Sequence, residues 1–408
     1  MLNLWKHPPA GLALIAAVIF VDMLMYGAMI PLLPELMQRF GMSGALAGLF
    51  LGLYPLIMMS LSLIFGRLAD RYARHRLIGC ALLMAVLGCL MIAQASTLPM
   101  LFMGRVLQSL SATLLWTSTL AMVARQFMDG KRTQALAICS SASMAGLLVG
   151  PVVSGWIAER IGYPLTFHML AALYATLACA ALILLREPRQ SDAAVTAHFS
   201  MLGFLRLPAV VPVILLLASG MVLLGLFEIL LPRYLVSAFR VTPFQLGIVL
   251  SVFTLSYSLS SLFAARYWDR QRSRPVTTAL RSGLIVTAAL LLVAGLPASV
   301  WGFAVAIGLT GISMGYWMSP LMDMMSRAME RSTATLAHGA IGALYNLISS
   351  AGLALGATGG GVAGDYLSLQ IILAAIAMLA ILQAIILPAG IGDVDTQEST
   401  QESAQKSA

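Results

Sequence analysis

The chain is 408 residues long, 60% hydrophobic and only 10% charged, with a formal net charge of +8. Soluble domains carry roughly a quarter of their residues as charges, so this balance excludes an ordinary soluble enzyme and points to repeated crossing of a bilayer. The basic excess is no nucleic-acid face, because the arginines stand in turns between apolar runs, where they report topology.

Apolar runs long enough to span, about 20 residues each, recur twelve times. They lie near residues 9–34, 44–66, 75–95, 98–124, 131–156, 163–185, 209–235, 243–265, 276–296, 298–324, 333–357 and 363–388. With the N-terminus inside, about 19 of the 24 Lys and Arg fall on the cytoplasmic side. That asymmetry predicts both termini in the cytoplasm. The first run is too long for a signal peptide and is read as span one. The four cysteines all lie within apolar runs and show no metal or disulfide spacing. No cofactor is predicted.

Span one holds Asp22 and Tyr26. A carboxylate inside an apolar span is costly and marks a functional candidate. It suits a group that loads and releases protons. Between spans two and three lies Gly66-Arg67-Leu68-Ala69-Asp70-Arg71-Tyr72-Ala73-Arg74-His75-Arg76, a dense cationic turn. Span four carries Arg105, then Gln108, Ser109 and Trp116. Span five reads Gly146-Leu-Leu-Val-Gly150-Pro151-Val-Val-Ser154-Gly155. Its glycines four apart give one smooth face for a neighbouring helix, and its proline removes a backbone donor.

A polar stretch, 186–207, then separates two halves, 1–185 and 208–390. Span seven holds Glu228 ahead of Pro232. Alignment of Pro34 with Pro232 sets Glu228 about 12 Å further outward than Asp22 by helix rise. After span eight, Arg266, Asp269 and Arg270 repeat Arg67, Asp70 and Arg71 at a common offset of 199. Gly48 and Gly247, Leu51 and Leu250, and Leu63 and Leu262 keep the same offset. A repeat at half length in an apolar chain predicts two pseudo-symmetric six-helix bundles. Tyr316 and Trp317 in span ten and Asn346 in span eleven join Tyr26 and Trp116 as candidates to line a substrate cavity. Span eleven also carries a weaker echo of span five, Gly352-x-x-x-Gly356-Ala-Thr-Gly359-Gly360, without the proline. The tail 391–408 is polar and too poor in apolar residues to fold alone.

The turn 66–76 resembles the signature G-x-L-A-D-R-x-G-R-[KR]-[KR] of the major facilitator superfamily, departing at Ala73 and His75. The resemblance implies an all-α membrane fold of twelve helices in two bundles. It also implies a gating role for Gly66, Asp70, Arg71, Arg74, Asp269 and Arg270, the last two from the second copy. Span five resembles the G-x-x-x-G-P-x-x-G-G motif of the exporting, proton-antiporting branch, with Ser154 in place of one glycine. That assigns Gly146, Gly150, Pro151 and Gly155 to it. Arg105-Val-Leu-Gln108-Ser109 is similar to the family's R-x-x-Q-G motif, whose arginine is linked to proton coupling.

The expected function is a secondary transporter that exports a small organic compound, of cationic or amphipathic type, in exchange for protons. Asp22, Arg105 and Glu228 carry the coupling in that reading. Asp22 and Arg105 come to similar depth when helix rise is counted from opposite membrane faces. Export of a metabolite such as a siderophore, and uptake by symport, stay open. A receptor or channel is the rival from another class, but rings of pore charges or carbonyl filters are not seen. No nucleophile–histidine pairing or phosphate loop points to an enzyme. The expected partners are a small molecule, protons and the lipid of a bacterial inner membrane, with the protein acting as a monomer and no nucleic acid involved.

Overall fold

The computed structural model describes residues 8–127, 131–185, 211–270, 276–296, 299–330 and 338–387. Within them the chain is helical, and no strand occurs among the described residues. The helices are α1 (Pro8–Phe40), α2 (Gly44–Arg71), α3 (Arg74–Ala93), α4 (Leu98–Gln126), α5 (Lys131–Ile161) and α6 (Tyr163–Leu184). They continue as α7 (Val211–Phe239), α8 (Pro243–Arg270), α9 (Val276–Ala294), α10 (Val300–Met318), α11 (Leu321–Glu330), α12 (His338–Tyr366) and α13 (Leu369–Ile386). Among the described residues there are 12 stretches long and apolar enough to cross a membrane, and the tenth runs through α10 into α11. Ser319 and Pro320 break that pair, since Pro320 has no amide to continue the ladder. The predicted linker 186–207 and the tail from 391 lie outside the described residues.

Several helices outrun the predicted spans at their C-terminal ends, α1 and α12 the furthest. α1 passes through Pro31 and Pro34 to Phe40, because each proline forfeits one backbone bond and membrane helices tolerate that loss. α12 continues through Gly359, Gly360 and Gly361 to Tyr366. There the missing side chains admit a neighbour: a Cβ at Gly360 would meet Leu226 and Ile229, and one at Gly361 the backbone of Gly44 and Gly48.

The repeat is visible in backbone detail. Gly41, between α1 and α2, has φ +60°, and Arg240, between α7 and α8 and 199 residues later, has φ +52°. A left-handed arginine costs roughly 1 kcal/mol that glycine does not. Position equivalence, rather than residue type, sets that conformation. Ser43 then caps α2 by accepting from Leu46 N at 3.3 Å. Thr242, again 199 on, caps α8 by accepting from Gln245 N at 3.3 Å, while Gln245 Oε1 accepts from Thr242 N at 3.1 Å.

The chain forms two compact units. One holds α1 to α6 with the segments Gly225–Ser251 and Ala357–Asp365. In it α1 lies on α5, with Gly146 and Gly150 so close to the Phe20 and Leu24 carbonyls that any Cβ would overlap them. Van der Waals contact between smooth faces replaces the hydrophobic drive that lipid does not supply. The other unit holds Val252–Gly356, the beginning of α7 and α13. Its core centres on Trp317, 2% exposed and packed against Gly283 and Gly220. The Trp317 indole donates to Thr287 Oγ1 at 3.1 Å, and the Ser313 hydroxyl lies 2.9 Å from the same oxygen.

Candidate functional site

Residues from six helices of the first unit meet around Arg105. α1 presents Asp22 and Tyr26, one turn apart and therefore on one face. α2 adds Phe50 and Tyr54, α3 Cys89, α4 Arg105, Gln108 and Trp116, α6 Tyr174, and the Gly225–Ser251 segment of α7 adds Glu228. A small cavity is lined by Asp22, Met25, Tyr26, Tyr54, Ala85, Arg105, Gln108 and Tyr174. Apart from the Ser and Thr hydroxyls of α4, which bond mostly to backbone carbonyls, these helices are largely apolar on either side of their contributions. The polar atoms are thus left to satisfy one another.

They do so in two linked sets. Asp22, 5% exposed, accepts from the Trp116 indole at 2.9 Å and from the Tyr54 hydroxyl at 3.2 Å, both on Oδ2. Glu228 accepts from the Tyr26 hydroxyl, whose oxygen lies 2.8 and 2.7 Å from its two carboxyl oxygens. The Tyr26 and Tyr54 rings pack with centroids 4.7 Å apart, so the two acids are joined through adjacent tyrosines.

Arg105 is 1% exposed and stands between the sets. Its guanidinium faces the rings of Tyr26, Phe50 and Tyr54 at 5.9, 5.5 and 5.5 Å. Cation–π attraction strengthens on desolvation, reaching about 2 kcal/mol or more. Nε donates to the Phe50 carbonyl at 3.1 Å, with weaker bonds at 3.4 Å to Leu51 O and Gln108 Oε1. Among the described residues no ion pair joins Arg105 to either acid. Rings and carbonyls hold the guanidinium instead, so Asp22 and Glu228 keep oxygen capacity for protons.

Asp22 and Arg105 therefore line one cavity, and Glu228 reaches the same cluster through Tyr26, four residues beyond Asp22. Trp116 and Tyr26, read as cavity residues, bond the two carboxylates. Trp317 is committed to its Thr287 bond in the second unit. Also there, Tyr316 packs on Trp268 with centroids 5.5 Å apart, and Asn346 is exposed on α12. Span five divides its motif: Gly146 and Gly150 face α1, Gly155 faces the start of α8, and Pro151 serves both, its ring against Gly27 of α1 and its carbonyl against Gly247 of α8. In the signature turn, Arg71 is exposed, Arg74 is buried, and Gly66 has open space beside it. The side chains of Asp70, Asp269 and Arg270 lie outside the described residues. Tyr54 and Tyr174 went unnoticed in the sequence. A tyrosine in an apolar span is a common event, and only the position of Tyr54 just before Pro55 marked it.

A sequence profile of the Major Facilitator Superfamily matches residues 15–353. Multidrug resistance protein 1 of Bacillus subtilis is 29% identical over 173 residues, 42% of this chain and 44% of that protein. The class H tetracycline resistance protein of Pasteurella multocida is 28% identical over 192 residues, 45% of this chain and 46% of that protein. The matched stretch thus spans about half the length of these curated relatives. A crystal structure of a bacterial homolog of the human lysosomal transporter Spinster, inward-facing and occupied, superposes with a TM-score of 0.75 at 13% identity. It covers 97% of this chain and 96% of that one, and at such identity the likeness concerns fold alone.

Proposed function

This chain belongs to the Major Facilitator Superfamily, a family of membrane transporters, and from that premise we propose that it exports small organic compounds in exchange for protons. The observation that carries the proposal is the buried cluster of two carboxyls and one guanidinium. Net charge inside an apolar bundle is expensive. Asp22, Glu228 and Arg105 balance when a single proton is held between the acids. A cationic compound that reaches the cluster supplies the same charge and releases that proton; a proton entering from outside then expels the compound. Tyr26 and Tyr54 link the acids, so that loss of a proton at one is felt at the other. Relatives named for multidrug and tetracycline resistance support a drug-like cargo.

In this reading the two six-helix halves, 1–185 and 208–390, alternate access around the cluster in a bacterial inner membrane. The Arg-rich turns 66–76 and 265–275 face the cytoplasm, and the α1–α2 and α7–α8 turns face outward. Cysteines introduced at Ser191 and Ser403, both outside the described residues, are then shielded from an impermeant reagent in intact cells. Labelling of either would reverse the orientation.

Proton exchange is tested directly on the purified protein with a pH-indicating dye. Addition of tetraphenylphosphonium, a lipophilic monocation, should release about one proton per bound probe, as charge balance requires. Saturable binding without proton release would leave a transporter of another coupling.

A further inference from the structure

The outward-facing ends of the helices carry a second device, built twice. In the α5–α8 seam, Gly155 lies against the Pro243 carbonyl and Gly247 against the Pro151 carbonyl. In the seam between α2 and the Ala357–Asp365 segment of α12, Gly361 lies against the Gly44 carbonyl and Gly48 against the Ala357 carbonyl. These are the same contacts. Gly44 and Gly48 become Pro243 and Gly247 at the offset of 199, while Pro151 and Gly155 become Ala357 and Gly361 at an offset of 206. The echo of span five in span eleven is therefore a repeat of packing, kept without its proline.

Four residues beyond each terminal glycine stands an acid, Glu159 in α5 and Asp365 in α12. Glu159 Oε2 accepts from the Phe244 amide of α8 at 3.3 Å. Asp365 accepts from Gly44 and Ala45 of α2 at 2.9 and 3.0 Å. Phe244 and Ala45 are equivalent, each the second residue of its helix, where unpaired amides and the positive end of the helix dipole attract an anion. The imbalance has a cause. Gly44 offers an amide where Pro243 has none, so Asp365 gains a second bond. Arg233 adds a 2.9 Å ion pair to Asp365, with both side chains about a quarter exposed.

We propose that Glu159 and Asp365 are paired latches that hold the outer ends closed, each by capping the helix N-terminus across its glycine seam. The inference rests on alternating access, as read above, and adds the groups that bias it. Opening outward then requires both acids to let go of α8 and α2 in one movement, and a carboxylate that accepts from backbone amides resists that. Asp365 is the stronger latch.

The test uses full-length protein in nanodiscs, spin-labelled in a background without the four native cysteines. One label pair joins Gln38 to Tyr366, and a second joins Ile161 to Ala238; all four side chains are exposed. Asp365→Asn should raise the ratio of long to short distances about tenfold and Glu159→Gln about threefold, in keeping with their numbers of charge-assisted bonds. Each single variant should lengthen both pairs, since one movement releases both seams. Unchanged distances overturn the proposal. So does lengthening confined to the mutated seam, which is local fraying. Glu159 is exposed, so Glu159→Gln carries the test alone if Asp365→Asn does not fold. No cargo or pH gradient enters, so failure here is separable from failure of proton-coupled export.

Discussion

Asp22→Asn should reduce pH-driven transport to the level of protein-free vesicles while leaving the protein folded. Asparagine keeps the shape of the side chain and an oxygen on which Trp116 and Tyr54 can still donate. Their bonds, 2.9 and 3.2 Å to the native carboxylate, lose only their charge assistance, roughly half their strength. The amide takes up no proton. Folding is therefore nearly spared, with a loss of about 1 kcal/mol, and coupling is not. Glu228→Gln should cost less. Its partner Tyr26 still finds an acceptor, and Asp22 remains to carry the proton. Size-exclusion behaviour and thermal unfolding check the first half of this expectation, and vesicle uptake checks the second.

Arg105 should behave in the opposite way, with stability as its larger debt. Arg105→Ala removes the cation from a buried cluster with two carboxyls and empties the space between Tyr26, Phe50 and Tyr54. Removal of one side of a buried charge arrangement costs about 3–5 kcal/mol. Arg105→Lys keeps the charge but loses the planar fork that reaches Phe50 O, Leu51 O and Gln108 Oε1 together. It should fold better than the alanine variant and transport poorly. The sharper expectation is for the double variant Asp22→Asn, Arg105→Gln. Removal of opposite charges together leaves less imbalance, so it should be more stable than Arg105→Ala. A double variant that melts at or below Arg105→Ala would mean that ring packing, rather than charge, dominates at this position.

The spans and the repeat were legible because hydropathy and arginine placement are local properties of a chain in lipid. The ends were less so. Pro34 reads as a stop, yet α1 runs through it, since tertiary contacts outweigh one missing bond. Span eleven is predicted to end at 357, yet α12 runs on to Tyr366, and the bareness of Gly360 and Gly361 serves close packing on α7 and α2. At the site, Asp22 and Arg105 could be matched in depth by counting rise along two helices. Glu228 could be placed only along its own helix, and its bond to Tyr26 depends on how α7 meets α1. Tyr54 carries no signal beyond its place before Pro55. The Asp365 and Glu159 caps were the least legible, for each needs the end of one helix beside the beginning of another. The offset of 206 that relates them is carried by the echo of Gly146 and Gly150 in Gly352 and Gly356, but nothing in the residues says that Gly155 and Gly361 make the same contact.

Movement of tetraphenylphosphonium against an imposed pH gradient in proteoliposomes tests the central claim most directly, with wild-type protein and Asp22→Asn reconstituted at equal density. The account predicts that the wild type concentrates the cation on the side from which protons flow, and that the gradient has no effect on the variant. Gradient-driven accumulation persisting in Asp22→Asn would remove this carboxylate from coupling and contradict the mechanism built on it.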